Sequence, residues 1–124
     1  MLEKNNEDSK KVKKMDMFLD CTLYRLGFNC ANLGTKYLKE ILKLAYFNNM
    51  FDMKYKDFCI FASQSLNINQ EKISSNIYHS INSININLTR KNFENIFHIE
   101  FDYFYISPKK LTILLLKLLD NTFI

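Results

Sequence analysis

Ile73, Ile77, Ile81 and Ile84 recur at i, i+4, i+8 and i+11. That interval stacks side chains along one edge of an α-helix. The residues between them are polar, so a helix from Gln70 to about Ser83 is expected to bury an isoleucine stripe and leave a hydrophilic edge in water. Asn69 stands just before it, and asparagine is a strong N-cap residue. The rest of the chain is expected to be helical too. Two glycines and one proline in 124 residues are too few for the tight turns of an all-β sandwich or barrel. The expected fold class is therefore all-α, a single six-helix domain.

Five further helical segments are legible. Residues 16–27 place Met17, Leu19, Leu23 and Leu26 on one side, with Gly27 as a stop. Residues 34–49 carry Tyr37, Leu38, Ile41, Leu42, Leu44 and Ala45, with Lys36, Lys39 and Lys43 opposite. Residues 54–66 are apolar in their middle, and Cys59 is expected in the core. Residues 89–97 start at Thr89 as a candidate N-cap, followed by Arg90 and Lys91. In residues 107–121, Ser107 is the N-cap and Pro108 takes the first helical position, where a missing N–H costs nothing. Between the last two helices, residues 98–106 alternate at period two through Ile99, Phe101, Tyr103 and Tyr105. No partner strand is evident, so an extended connector lying on the core is expected.

Residues 54–83 have the order of a helix-turn-helix. Ala62 and Ser63 are small, Leu66 closes the first helix and Asn67-Ile68-Asn69 makes the turn. Ile73 takes the inner position of the second helix, and Asn67 tolerates the left-handed conformation that glycine usually supplies. A helical hairpin with asparagine in its turn shows the same pattern.

Leu26, Gly27, Gly34, Tyr37, Leu38, Glu40 and Tyr46, followed by this turn unit, then 90–97 and 107–119, resemble the C-terminal effector domain of stage zero sporulation protein A, a response regulator of endospore formation. The resemblance covers about residues 16–121. It implies an all-helical domain that binds a short DNA box as tandem copies and dimerises through its last helix. It implies transcription regulation in sporulation, with double-stranded DNA as the partner. Two departures accompany it. Upstream stands only a lysine-rich stretch, so no receiver domain and no direct phosphorelay control are expected. The family's exposed arginines, glutamate and histidine fall at Lys72, Ser74, Ser75, Tyr78 and His79.

With the isoleucines inside, Lys72, Ser75, Asn76, His79 and Ser83 are expected to point outward, flanked by Ser74 and Tyr78. An arginine pairing with guanine is worth about 1–3 kcal/mol of discrimination. Here Asn76 offers an adenine pairing instead and Ser75 a less selective donor, a vocabulary that favours A·T-rich sites. Arg90 and Lys91, together with Lys54, Lys56, Lys36, Lys39 and Lys43, are candidates for phosphate contacts, or else a solvated face.

The first fourteen residues hold Lys4, Lys10, Lys11, Lys13 and Lys14 and are expected to be a mobile solvated tail, with the folded domain at 15–124. The net charge of +4 permits a nucleic-acid partner without requiring one. The last helix is apolar nearly all round. Leu111, Leu114, Leu115 and Leu118 are expected to face the core, leaving Ile113, Leu116 and Leu119 as a partner interface for a homodimer or heterodimer, or else covered by the connector.

Cys21, Cys30 and Cys59 are odd in number and scattered, which supports neither disulfides nor a zinc site. His79 and His98 are isolated and there is no Gly-rich phosphate loop, so neither an enzyme nor a cofactor is expected. The longest apolar run, 111–119, is too short to span a bilayer. The N-terminus lacks the apolar run of a signal peptide, and the cytoplasm is the expected location. Besides a DNA-binding regulator, two readings stand. One is a protein-interaction module that kept the fold, lost specific DNA binding and modulates a full-length regulator through its last helix. The other is non-specific DNA binding driven by the lysine-rich tail.

Overall fold

A computed structural model describes residues 2–123, with side-chain environments from Ser9 onward. It is all-α, with six helices: α1 (Leu2–Arg25), α2 (Leu33–Phe47), α3 (Tyr55–Leu66), α4 (Gln70–Asn82), α5 (Ile86–Phe97) and α6 (Pro108–Thr122). No strand occurs among the described residues. α2 is the centre. It packs on α1, α3 and α6 and most extensively on α4.

Each of the two glycines lies close against another segment's backbone. Gly27, at φ +95°, ends α1 in a Schellman motif, with Phe28 N–H donating to the Leu23 carbonyl (2.9 Å) and Gly27 N–H to that of Tyr24 (3.0 Å). Its own carbonyl accepts from Asn85 N–H at 2.8 Å, which pins the α4–α5 junction against the end of α1. Gly34, in the first turn of α2, lies against α4. A Cβ there would overlap the Asn76 carbonyl oxygen and Ser80 Oγ. Asparagine does glycine's work elsewhere. Asn49 and Asn67 both take φ 54° just beyond α2 and α3.

Several expectations need correction. Met17 is 72% exposed, and the buried apolar stripe of α1 is Met15, Leu19 and Leu23, continued by Leu26 just past its end. Met17 is two positions from Leu19, which puts it on the far side of a helix. The lysine-rich stretch read as a tail lies within α1, which spans Leu2–Arg25. Lys10, Val12, Lys13 and Lys14 are exposed there, and the Lys11 ammonium lies 5.0 Å from the Tyr46 ring centroid. α5 begins at Ile86 and its N-cap is Asn85, whose side chain accepts from the N–H groups of Asn87 and Leu88. Thr89 is instead buried, donating its hydroxyl to the Leu26 carbonyl. Arg90 and Lys91 therefore sit a full turn inside α5.

α6 is rotated from the expected setting. Leu111, Thr112, Leu115, Leu116 and Leu119 face the core. Thr112 can lie inside because its hydroxyl is satisfied by the Pro108 carbonyl. Leu116 and Leu119 are 2% and 0% exposed, so they are core and not a partner interface. Ile113, Leu114 and Leu118 are half-buried. The connector is not fully extended. It forms a 3-10 turn over Tyr103–Tyr105, capped by Asp102. Ile99, Phe101, Tyr105 and Ile106 pack on the core, while Tyr103 and Phe104 stay 58% and 62% exposed.

Candidate nucleic-acid interface

The turn between α3 and α4 is held at three points. Asn67 is left-handed (φ 54°, ψ 47°), which reverses the chain directly after Leu66. The Ser63 hydroxyl donates across the turn to the Ile68 carbonyl. Asn69 then caps α4, its Oδ1 accepting from Glu71 N–H at 2.8 Å and Lys72 N–H at 3.4 Å. A cap of this kind is worth about 1 kcal/mol.

α4 is seated by Ile73, Ile77, Ser80 and Ile81, all buried. Ile84 lies beyond the helix end and is half-buried. Ser80 and Gly34 are small enough to let the α2 and α4 backbones meet. That close contact fixes both the height and the rotation of α4.

The opposite side of α4 faces solvent. Glu71, Lys72, Ser75, Tyr78, His79, Asn82 and Ser83 are exposed. At 100° per residue, Ser75, His79 and Asn82 fall near the middle of this arc, with Lys72 on one flank and Tyr78 on the other. The Tyr78 ring is 55% exposed and meets His79 edge-on, with centroids 6.1 Å apart. Asn76 departs from expectation. It is half-covered beside α2, and its Nδ2 donates to the Lys72 carbonyl at 2.7 Å. Ser74 and Ser83 likewise turn their hydroxyls back to the carbonyls of Glu71 (3.3 Å) and His79 (2.8 Å). Each of those groups directs a donor to the helix's own backbone. Asn82, which the sequence analysis did not single out, is exposed and better placed than Asn76.

The face is polar but nearly uncharged. Lys72 is offset by its neighbour Glu71. Two of the three lysines on α2 are committed elsewhere. Lys39 Nζ lies 2.6 Å from Asp20 and 3.2 Å from Asp16, and Lys43 Nζ lies 2.9 Å from Asp16 and 2.8 Å from Glu40. Burial alone would lower both lysines' pKa values, but the carboxylate hydrogen bonds outweigh it and hold them above the ordinary range. Asp16 is shifted the other way, held below the usual carboxylate range chiefly by its hydrogen bond to Lys43. Lys39 and Lys43 are thus struts between α1 and α2. Lys36, Lys54, Lys56, Arg90 and Lys91 remain exposed. Arg90 is steadied over the Tyr103 ring, 5.1 Å from its centroid.

Among the described residues there is no cluster of three or more His, Cys, Asp or Glu side chains placed to hold a metal ion. No helix there is long and apolar enough to cross a membrane. No family model, curated protein or solved structure matches the chain.

Proposed function

We propose that this protein is a DNA-binding transcription regulator that lays α4 in the major groove as the second helix of a helix-turn-helix. The observation that carries the reading is the two-sidedness of α4. One side is fixed to the domain by Ile73, Ile77, Ile81 and the Gly34 contact. The other presents Lys72, Ser75, Tyr78, His79 and Asn82 to solvent without a covering element. A helix held this firmly, with short polar side chains outward, suits a groove that admits one α-helix. The motif resemblance to the sporulation effector domain supports the same use and suggests regulation of endospore formation as its setting.

The chemistry of the face defines the mode. Asn82 can pair with adenine, and His79 and Ser75 hydrogen-bond base edges less selectively. With Lys72 offset by Glu71, most affinity must come from phosphate contacts by the exposed cations off α4, with Arg90 and Lys91 as the first candidates. Each phosphate neutralised contributes about −0.9 to the slope of log K against log salt. Two to four such contacts give a slope of about −2 to −4.

The test is selection of bound duplexes from a random pool at near-physiological salt. An enriched A·T-containing motif is expected, lost in the His79→Ala/Asn82→Ala double variant and kept in Asn76→Ala. A pool that stays random after repeated selection refutes the reading.

A further inference from the structure

Where α4 ends, the chain leaves an open groove of about 450 Å³ lined by Ile81, Asn82, Ile84, Ile86, Tyr103 and Ile106. Four of those six side chains are isoleucines, and three of them (Ile84, Ile86 and Ile106) stay half-buried after folding. One cation covers a lining ring, and a second covers the ring of the next residue along the connector. Arg90 Cζ lies 5.1 Å from the Tyr103 centroid, and Lys110 Nζ lies 4.8 Å from that of the adjacent Phe104. Among the described residues neither cation is in an ion pair. The ion pairs there join Lys39 and Lys43 to Asp16, Asp20 and Glu40. Glu100 and Asp102, the acids nearest Tyr103 in sequence, line a separate hollow with Phe101 and Tyr105.

We infer that this groove docks an acidic peptide segment bearing large apolar side chains, which fill the isoleucine trough while its carboxylates meet Arg90 and Lys110. The inference goes beyond DNA recognition by α4 and does not rest on it. Charge complementarity selects the occupant. Unpaired cations beside an apolar trough match carboxylates alternating with Leu or Phe. Nucleic acid fits less well. Stacking of unpaired bases uses aromatic faces, and with Arg90 on one face of Tyr103 and Lys110 on one face of Phe104 at most one face of each exposed ring is left for a base. A base or sugar would also leave the isoleucines poorly desolvated. The cation–π contact holds Arg90 against the groove before any ligand arrives, and a like contact orders Lys110 over Phe104, which lowers the ordering cost of binding.

The test uses the whole chain and a fluorescein-labelled peptide in which Asp and Glu alternate with Leu and Phe, followed by anisotropy and by amide shifts in ¹⁵N spectra. Saturable binding is expected, with shifts concentrated at Ile84, Ile86, Tyr103 and Ile106. Lys110→Glu, at a half-buried site off α4, should weaken binding by about tenfold. Ile86→Ser should weaken it similarly while the spectrum of the folded chain is retained. A control peptide with Ser in place of Leu and Phe should not bind. The inference is overturned by equal binding of that control, by shifts lying elsewhere, or by tighter binding of a single-stranded oligothymidine at the same residues. It is equally overturned if the groove is closed by self-association of the chain.

Discussion

Replacing Gly34 with alanine should destabilise the protein, although alanine is the better helix former. Gly34 lies in the first turn of α2 with ordinary helical backbone, so propensity alone favours Gly34→Ala by up to about 1 kcal/mol. The added methyl, however, overlaps the Asn76 carbonyl oxygen and Ser80 Oγ. Ser80 could rotate away, but the carbonyl belongs to the α4 backbone and cannot. Relief requires α4 to retreat from α2 by roughly 1 Å, a gap that forfeits a quarter to a half of the dispersion energy of each contact it opens. Ile73 and Ile77, both 0% exposed, are anchored on α4 and would loosen with it. Overpacking of this kind costs about 2–4 kcal/mol, at and somewhat above the usual range, which leaves a net loss of about 1–3 kcal/mol. For a chain of this size that lowers Tm by roughly 3–12 °C. Urea denaturation followed by circular dichroism measures it, with an unchanged m-value expected. A Gly34→Ala protein as stable as the parent, or more so, would mean that α2 and α4 do not meet as described, and the seat of α4 would be wrong.

Other consequences follow from single side chains. Tyr55 Oη is buried without a hydrogen-bond partner, so Tyr55→Phe should leave stability unchanged or raise it by up to about 1 kcal/mol in denaturant titration, and a clear loss would reveal a partner. Asp16→Asn should cost less than about 1 kcal/mol at neutral pH, because the Asp16–Lys43–Lys39 network is partly exposed. The folded-state pKa of Asp16 is depressed, so its contribution is full above the unfolded value of 3.8 and fades as pH falls through the lower folded value. Parent and variant stability curves should therefore converge below pH 3.8, whereas a difference that persisted unchanged into strong acid would refute the ionic origin. Thiol labelling should proceed at exposed Cys21 first, then at Cys30, with buried Cys59 reacting only on unfolding. Burial pushes the Cys30 and Cys59 thiols up, away from the reactive thiolate.

What the sequence revealed depended on contrast. α4 was legible because its isoleucines stand among serines and asparagines, so only one rotation buries the apolar edge. The caps at Asn69 and Ser107 were legible because their chemistry is local. α6 was not. With leucine or isoleucine at 111, 113, 114, 115, 116, 118 and 119, periodicity could not choose a face, and the setting is made by packing, with Thr112 accepted inside through its bond to Pro108. The lysines of α2 looked like a free basic stripe because the carboxylates that hold two of them lie partly on α1, beyond the reach of any local pattern. Asn76 had the right angular position for reading DNA, but the proximity of α2 at Gly34 is a tertiary fact. The groove at Ile84 and Ile106 has no sequence signature, since its walls come from the α4–α5 turn and the connector.

The central claim is that the solvent face of α4 meets base pairs. A ¹⁵N-labelled sample titrated with a selected duplex, read as amide and side-chain shifts, addresses it most directly. The account predicts the largest changes at Lys72, Ser75, His79 and Asn82, with smaller ones at Arg90 and Lys91. Changes confined to α1 or α6, with the α4 resonances unmoved at saturation, would contradict it.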